Sequence, residues 1–324
     1  MKGKTLIIIS TVCLSLFFLS ISGIQAEQTF PEKNITFVIP VSPGGGFDTT
    51  VRLLVPYLQK YLPKPVNIIP KNIPGGEWSV GINTLYHSKP DGYTIGIFNL
   101  PGNVVHMITG TAKFDLTKVT WLGTPADITY VTAFSPKSKY KTLKDMQEAP
   151  EVSAATVGLA STAGLGTVLA AEAMKIKMKY IPHDGSTEAI LAGIRGDADW
   201  VQYPFGSLKK HFEAGALIPK WVYAKKRLPE LPDVPTIVEM GYEKLLSVVT
   251  MFRPIGGPPG IPDDVSKVLQ ESLKKAIQDP EFVAAMKKAR QEPTYFGPEE
   301  TTQKVQDSVT TFSQYKDTLM KYLR

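Results

Sequence analysis

Cysteine is almost absent from this sequence. Its one cysteine among 324 residues, Cys13, lies in an apolar segment at the amino terminus that is expected to be removed. The mature chain would then contain none, which excludes disulfide bonds and thiolate chemistry. Thr11 and Val12 stand before Cys13 where a lipid-modified cysteine would follow small residues, so no lipid anchor is expected.

Long apolar runs are also absent after the first 26 residues. Lys2 and Lys4 precede an apolar run from Leu6 to Ile21, and small and polar residues follow as far as Ala26. This pattern predicts a secretory signal peptide over residues 1–26 and a soluble mature chain in the bacterial periplasm. An uncleaved membrane anchor is the alternative, although the run is shorter than the ~20 residues that span a bilayer.

The chain has no stretch dominated by one sign of charge. Removing Lys2 and Lys4 from the formal net charge of +6 leaves +4 on the mature chain. The basic residues are interspersed with acidic ones, as in KKHFEAGALIPK, and form no basic stripe. Nucleic acid is therefore not expected as a partner.

Motifs of catalysis, metal binding and cofactor binding are absent. Ser161 and Ser207 lie in no GxSxG motif and have no recognisable base. The GGGFD segment lacks the terminal glycine of GxGxxG and the Lys-Ser/Thr of a P-loop. The histidines are not at metal-ligand spacing; they are His87, His106, His183 and His211. The sequence predicts no catalytic residue, no metal and no cofactor.

What the sequence does contain is an alternation of strand-like and helix-like segments. A β-branched run at residues 35–41, a glycine turn and a helix at 51–62 are followed by strands at 66–73 and 91–98, with a helix at 80–87 between them. A comparable series occupies residues 153–203, and three helices follow, the last from about 298 to 323. Its apolar face consists of Val305, Val309, Phe312, Leu319 and Leu323. The order predicts an α/β protein with a mostly parallel sheet and two domains.

Two loops rich in glycine and small residues follow predicted strands. PVSPGGGFD and VGLASTAG stand where loops of a parallel sheet enter helices and bind ligands. Glycine lets the backbone approach a ligand, and the free N–H groups of a helix start suit an anion. Tight turns without a ligand are the alternative. We interpret Asp48 and Arg52, four residues apart, as a structural pair that leaves the glycine amides for the ligand.

Several blocks of the chain resemble the substrate-binding proteins of tripartite tricarboxylate transporters, a family of periplasmic solute receptors. The blocks cover nearly the whole mature chain; they are IPVSPGGGFDTTVRLL, NIPGGEWSVG, KPDGYTIGIF, YIPHDGSTEAILAGIRGDAD and KRLPELPDVPTIVEMGY. The resemblance implies a two-domain Venus-flytrap fold of the type II periplasmic binding protein kind. It also implies that loops 41–48 and 158–164 hold a ligand carboxylate between them.

The resemblance and the position of polar residues after strands together give the candidate ligand-binding residues. They are Ser42, Gly44, Gly45, Gly46, Phe47, Asp48, Trp78, Asn99, Ala160, Ser161, Thr162, Ala163, His183, Asp184 and Tyr203. The chain departs from the family pattern at Ala160 and Gly164, and again at Glu77 and Trp78, so the ligand itself is left open. Ser161 is also suited to cap the following helix, and His183 to a capping or surface role.

The resemblance implies a receptor that captures a small organic carboxylate and delivers it to membrane transporter subunits, without catalysis. We expect a monomer with one domain formed by residues 27–127 and 245–324 and the other by 128–244. The chain would cross between them near residues 124–130 and return within 222–252. A periplasmic carboxylate sensor with a signalling partner, and a secreted hydrolase using the same cleft, are the alternatives.

Overall fold

The computed structural model describes residues 30–44, 46–76, 78–156, 161–183, 186–289 and 291–322. The predicted signal peptide at residues 1–26 lies outside these ranges. Within them, no helix combines the length and the apolar character that crossing a bilayer requires.

The first strands and helices alternate as the sequence predicts. Strand β1 (Ile35–Ile39) leads into helix α1 (Gly46–Tyr61), and β2 (Ile68–Asn72), α2 (Ser79–Tyr86), β3 (Thr94–Ile97) and α3 (Gly102–Ile108) follow. β1 lies between β2 and β3 and is parallel to both. The helix predicted from Val51 begins five residues earlier, at Gly46, and the acidic Asp48 lies in its first turn, where a negative charge is favourable.

A single strand of 15 residues, β4 (Thr120–Phe134), runs through the middle of the protein. The sequence predicts only a crossing near residues 124–130 in this region. Along its length β4 pairs in turn with five antiparallel strands; these are β10 (Ile255–Gly257), β11 (Pro293–Phe296), β9 (Thr250–Phe252), β7 (Trp200–Pro204) and β8 (Ile218–Val222). β4 therefore joins the two halves of the sheet.

The middle of the chain forms a second alternating unit. Helix α4 (Leu143–Glu148) precedes β5 (Val152–Thr156), α5 (Thr162–Ala173), β6 (Met178–Pro182) and α6 (Ser186–Arg195), after which β7 runs directly into α7 (Phe205–Glu213). β5 is parallel to both β6 and β7. The prediction missed α7 and β8.

Four helices lie near the carboxyl terminus of the described chain. They are α8 (Asp263–Gln278), α9 (Pro280–Lys288), α10 (Pro298–Gln314) and α11 (Lys316–Tyr322). The prediction of one final helix from residue 298 to 323 is wrong, because Tyr315 leaves helical geometry at φ −102° and ψ 12°. Val305, Phe312 and Leu319 of the predicted apolar face are nevertheless fully buried.

The strands form one curled sheet in the order β2-β1-β3-β10-β4-β7-β5-β6, with β8, β9 and β11 also paired to β4. One hydrophobic cluster packs β1 and β3 against α1, α8 and α9. A larger one packs β4, β5 and β7 against α5 and α6 and includes the fully buried rings of Phe134, Trp200 and Trp221. The first glycine loop follows the carboxyl end of β1, and Ser161 and α5 follow β5 in the chain.

Candidate functional site

The first glycine loop is held by the carboxylate of Asp48. Its oxygens accept hydrogen bonds of 2.9 Å from the backbone N–H of Gly44, from Arg52 Nε and from Asn72 Nδ2. Although burial alone would raise it, these hydrogen bonds hold the pKa of Asp48 below its usual value. The predicted pair with Arg52 is present, but the Gly44 amide is not free for a ligand because it already donates to Asp48.

An aromatic pair lies beside this loop. The ring of Phe47 is buried and meets the half-buried ring of Trp78 edge to face, with 4.4 Å between the centroids. Trp78 adopts the left-handed backbone region at φ 83°, which is rare for a residue with a side chain. The structure thus brings these two predicted site residues together, although each covers the other.

The second loop is described only from Ser161 onwards, so Ala160 lies outside the described residues, as do Gly45 and Asp184. The Ser161 hydroxyl accepts a hydrogen bond of 3.0 Å from the Gly164 N–H and caps α5, which confirms the capping role. Thr162 is half-buried and Ala163 is buried in the first turn of α5. Ser42, on the first loop, is exposed.

Polar atoms gather where the parallel strands β5, β6 and β7 end. Thr156 is the last residue of β5, His183 follows β6, and Tyr203 is the last but one residue of β7. Thr156 Oγ1, His183 Nε2 and the Tyr203 hydroxyl are buried, and none has a hydrogen-bond partner in the described chain. Buried polar atoms normally find partners. These three are therefore suited to a polar ligand or to water.

Asn99, which follows β3, bonds within its own turn. Its backbone N–H donates to Asn103 Oδ1 at 2.7 Å, and the side-chain atoms Asn99 Oδ1 and Asn103 Nδ2 are buried without partners among the described residues. Asn99 thus presents a polar atom at the carboxyl end of β3.

Arg253, a buried cation that follows β9, is not among the predicted site residues. Its side chain is only 7% exposed, and no carboxylate of the described chain lies within ion-pair distance of it. Nη1 donates to the Gly46 carbonyl at 3.2 Å, to Thr50 Oγ1 at 2.7 Å and to Gln291 Oε1 at 2.6 Å. All three acceptors are neutral, so none of these hydrogen bonds pairs the positive charge with a negative one.

The surroundings of Arg253 connect it to two predicted site residues. Its guanidinium carbon lies 4.5 Å from the centroid of the Phe47 ring, an attractive cation–π geometry. Its charge also acts on the buried hydroxyl of Tyr130, as does Tyr203. Burial lowers the pKa of Arg253 from its usual value to about 10, so the group remains charged at neutral pH. Arg253 therefore lies beside the first glycine loop, and its charge acts on Tyr130 of β4.

A cavity of about 500 Å³ opens at Arg253. Its walls come from the middle of β4, from β9, and from the amino-terminal turns of α6 and α7. The lining residues include Ile128, Met251, Ser186, Thr187, Gly206 and Ser207. None of the predicted site residues that the structure describes lines this cavity. Arg253, which does line it, contacts two of them, the Phe47 ring and the Gly46 carbonyl. The helix starts and the guanidinium give the cavity a positive potential.

Titratable groups at the cavity rim modify this potential. Lys210 is exposed, and burial together with the Lys210 charge lowers the pKa of His211. Desolvation, and then the negative charges of Glu230 and Asp127, raise the pKa of Glu292, although its side chain reaches solvent. Within the described residues, no group of three His, Cys, Asp or Glu side chains could hold a metal ion.

Comparison with known proteins gives consistent matches over most of the chain. The UPF0065 protein in the tcbD-tcbE intergenic region of Pseudomonas sp. (strain P51) is 27% identical over 270 residues, which cover 81% of this chain and 79% of that protein. A TctC solute binding protein from Polaromonas superposes with a TM-score of 0.78 at 19% identity, over 90% of this chain and 99% of that one.

A third match is MatC from Rhodopseudomonas palustris with bound malate, with a TM-score of 0.64 at 20% identity over 90% of this chain and all of that one. These structures confirm the predicted α/β fold of the periplasmic binding protein kind. The model of the tripartite tricarboxylate transporter family receptor, TctC, matches residues 50–317. The chain belongs to this family of solute-binding receptors.

Proposed function

We propose that this receptor captures a small organic carboxylate in the periplasm and delivers it to a tripartite tricarboxylate-type membrane transporter. The ligand lies between a domain of residues 27–127 and 245–324 and a domain of residues 128–244. Closure of the domains replaces water around the anion by oriented donors. The receptor binds and releases its ligand without transforming it.

One observation carries the proposal: the buried guanidinium of Arg253, which faces a cavity and has no carboxylate partner in the described chain. Burying an unpaired charge costs several kcal/mol, and proteins normally pair such charges. An anionic ligand would supply the pair. A carboxylate matches the planar fork of a guanidinium in geometry as well as in charge.

The strand ends and the relatives support the same chemistry. Thr156, His183 and Tyr203 offer polar atoms without partners in the described chain, next to the loop that precedes α5. MatC, which shares the fold, was solved with bound malate, a carboxylate. We infer that loops 41–48 and 158–164 flank the ligand, while Arg253 compensates its charge.

A thermal-shift screen of the mature chain against organic acids tests the proposal. A ligand present at 100 times its Kd should add about 2.7 kcal/mol of stability. Arg253→Gln should lose this shift. Arg227→Gln is a matched control, because Arg227 is exposed and pairs with Glu239 at 3.0 Å, so its removal should leave the shift unchanged. A screen in which no acid raises the melting temperature, or in which Arg253→Gln responds like the parent chain, would refute the proposal.

The delivery step needs a separate test. A pull-down from membranes with the ligand-loaded receptor should retain transporter subunits, and should retain less of them without ligand. Capture of a signalling protein in their place would favour the sensor alternative.

A further inference from the structure

The walls of the cavity at Arg253 divide into a sheltered part and a rim. In the sheltered part, Arg253 is the charged side chain, and Gln291 and His211 are half-buried polar ones. The other side chains there are apolar and buried or half-buried; these are Ala126, Ile128, Ile190, Pro204 and Met251. The hydroxyl and ionic side chains stand at the exposed rim; these are Ser186, Thr187, Ser207, Lys210 and Glu292. Burial, and then the charge of Lys210, lower the pKa of His211, which favours its neutral form. The sheltered part therefore offers the positive charge of Arg253 and a mostly apolar surface.

We propose that the ligand is a monocarboxylate with an apolar body, such as a medium-chain or aromatic acid, rather than a short di- or tricarboxylate. The carboxylate pairs with Arg253, and the body lies against Ile128, Ile190 and Met251. This inference rests on the proposed function and specifies its ligand class.

The physical reason is the environment of the ligand end that lies away from Arg253, which is charged in a diacid and apolar in a monocarboxylate. Beyond Arg253, the second carboxylate of a four-carbon diacid would be desolvated among apolar side chains without a cation to pair with, which is strongly unfavourable. A methyl or phenyl end removes apolar surface from water on both sides, which is favourable in proportion to the area buried. The same apolar wall therefore weakens the binding of short diacids and strengthens the binding of monocarboxylates with an apolar body.

The rim charges do not reverse this preference. Lys210 is exposed, so its attraction for a second carboxylate is weakened by water and salt. Glu292 carries a carboxyl of its own at the same rim and would repel a second anion when ionised. Leu191, which is 40% exposed, extends the apolar wall outwards between these charged groups.

Isothermal titration with acids that differ in one feature tests the inference. Lengthening butanoate to hexanoate should lower Kd about fourfold for each added CH₂, which is the fold-change equivalent to about 0.8 kcal/mol. Succinate, which has the length of butanoate but two charges, should bind at least tenfold more weakly than butanoate. Hexanamide, which lacks the charge, should not compete with hexanoate.

Two variants locate the apolar body. Met251→Gln keeps the length of the side chain but places an amide in the wall, and it should remove most of the gain from butanoate to hexanoate. Leu191→Gln should reduce the gain at the rim. Ile218→Gln is its matched control, because Ile218 is exposed to a similar extent, 38%, and lies outside the cavity lining. Melting temperatures without ligand establish that each variant is folded.

The outcomes separate this inference from the proposed function. Tighter binding of succinate or malate than of butanoate and hexanoate would overturn the proposed ligand class. So would a Kd that does not change from butanoate to hexanoate in the parent chain, or that changes as much in both wall variants as in the parent. In each of these cases the proposed function, a carboxylate receptor, would still hold. If no organic acid binds, the proposed function fails, and this inference fails with it.

Discussion

Replacing Arg253 by methionine should leave the stability of the ligand-free protein almost unchanged, although the residue is buried. Burial lowers the pKa of Arg253 from its usual value to about 10, which means that the folded protein disfavours the charged form by about 3 kcal/mol relative to the unfolded chain. The folded-state pKa of this base is the lower one, so the cost is present in full at neutral pH, where the group is charged in both states. Methionine removes this cost.

The bonds lost with the guanidinium are of similar size. Nη1 has two N–H groups, and charged hydrogen bonds contribute roughly 1.5 kcal/mol each at the lower end of their range. No acceptor is orphaned, because the Gly46 carbonyl still accepts from Gln291 Nε2 at 3.0 Å and Gln291 Oε1 still accepts from the Thr50 hydroxyl at 2.6 Å. Methionine also keeps a favourable contact with the Phe47 ring. The free energy gained by removing the buried charge and the free energy lost with its hydrogen bonds therefore cancel to within about 2 kcal/mol.

Urea unfolding measured by circular dichroism checks this magnitude. Met286→Ala, a truncation at a position with 0% exposure, is the matched control and should cost about 2–5 kcal/mol. The Arg253→Met chain should unfold near the parent midpoint and show no thermal shift with any acid that shifts the parent. If the free energy of unfolding fell by more than about 4 kcal/mol, as for a core truncation, the guanidinium would be a net stabilising group of the fold, and the reasoning would be refuted.

Three further predictions concern stability. Asp48→Asn should cost about 1–3 kcal/mol, because the buried carboxylate accepts bonds from Gly44, Arg52 and Asn72; unchanged urea unfolding together with unchanged ligand binding would contradict its structural role. Gly81→Ala should cost about 1–3 kcal/mol, because the new Cβ would lie 2.6 Å from the Ile73 carbonyl oxygen and 2.8 Å from Pro40 Cα, whereas Gly206→Ala, with no atom within 4 Å of the new Cβ, should be tolerated. Hydrogen bonds from Lys60 and Tyr61 lower the pKa of Asp279 from 3.8 to about 2, so its contribution is complete well above pH 3.8 and lost as the pH falls towards 2; the melting temperatures of the parent and Asp279→Asn should differ at pH 7 and converge near pH 2, and a constant difference would exclude this carboxylate as the cause.

Sequence reasoning succeeded where the determinants are local. The alternation of β1, α1, β2, α2 and β3 follows from short apolar runs and helical spacing, and these patterns survive in the fold. The cap at Ser161 and the pair of Asp48 with Arg52 depend on residues three or four positions apart. Such contacts are determined by backbone geometry once the helix is identified.

Features that depend on distant contacts could not be read from the sequence. β4 contains Gly123, Pro125 and Asp127, which normally interrupt strands. They are tolerated because β4 changes partner along this stretch, from β10 to β11 and then β9. Its full length is visible only once those partners are placed, since they come from sequence more than a hundred residues later.

Arg253 illustrates the same limit for the site. It is one arginine in the segment MFRPIG, with no pattern around it. Its burial arises from Gly46, 207 positions earlier, and from Gln291, 38 positions later. The resemblance to a receptor family implicates the glycine loops in ligand binding, but nothing in the sequence of those loops predicts that a buried cation contacts them.

The unbroken path of β4 has a mechanical consequence. At 3.3 Å per residue its 15 residues extend over about 50 Å. It is hydrogen-bonded to β10 at one end and to β7 at the other. Any rotation of one half of the molecule against the other must twist this strand, because its two ends are hydrogen-bonded to strands of different halves. The twist of β4 then determines the angle between the two halves of the receptor when no ligand is bound. Substitutions of the side chains that flank Pro125 would change the stiffness of this strand without changing any group that touches the solute.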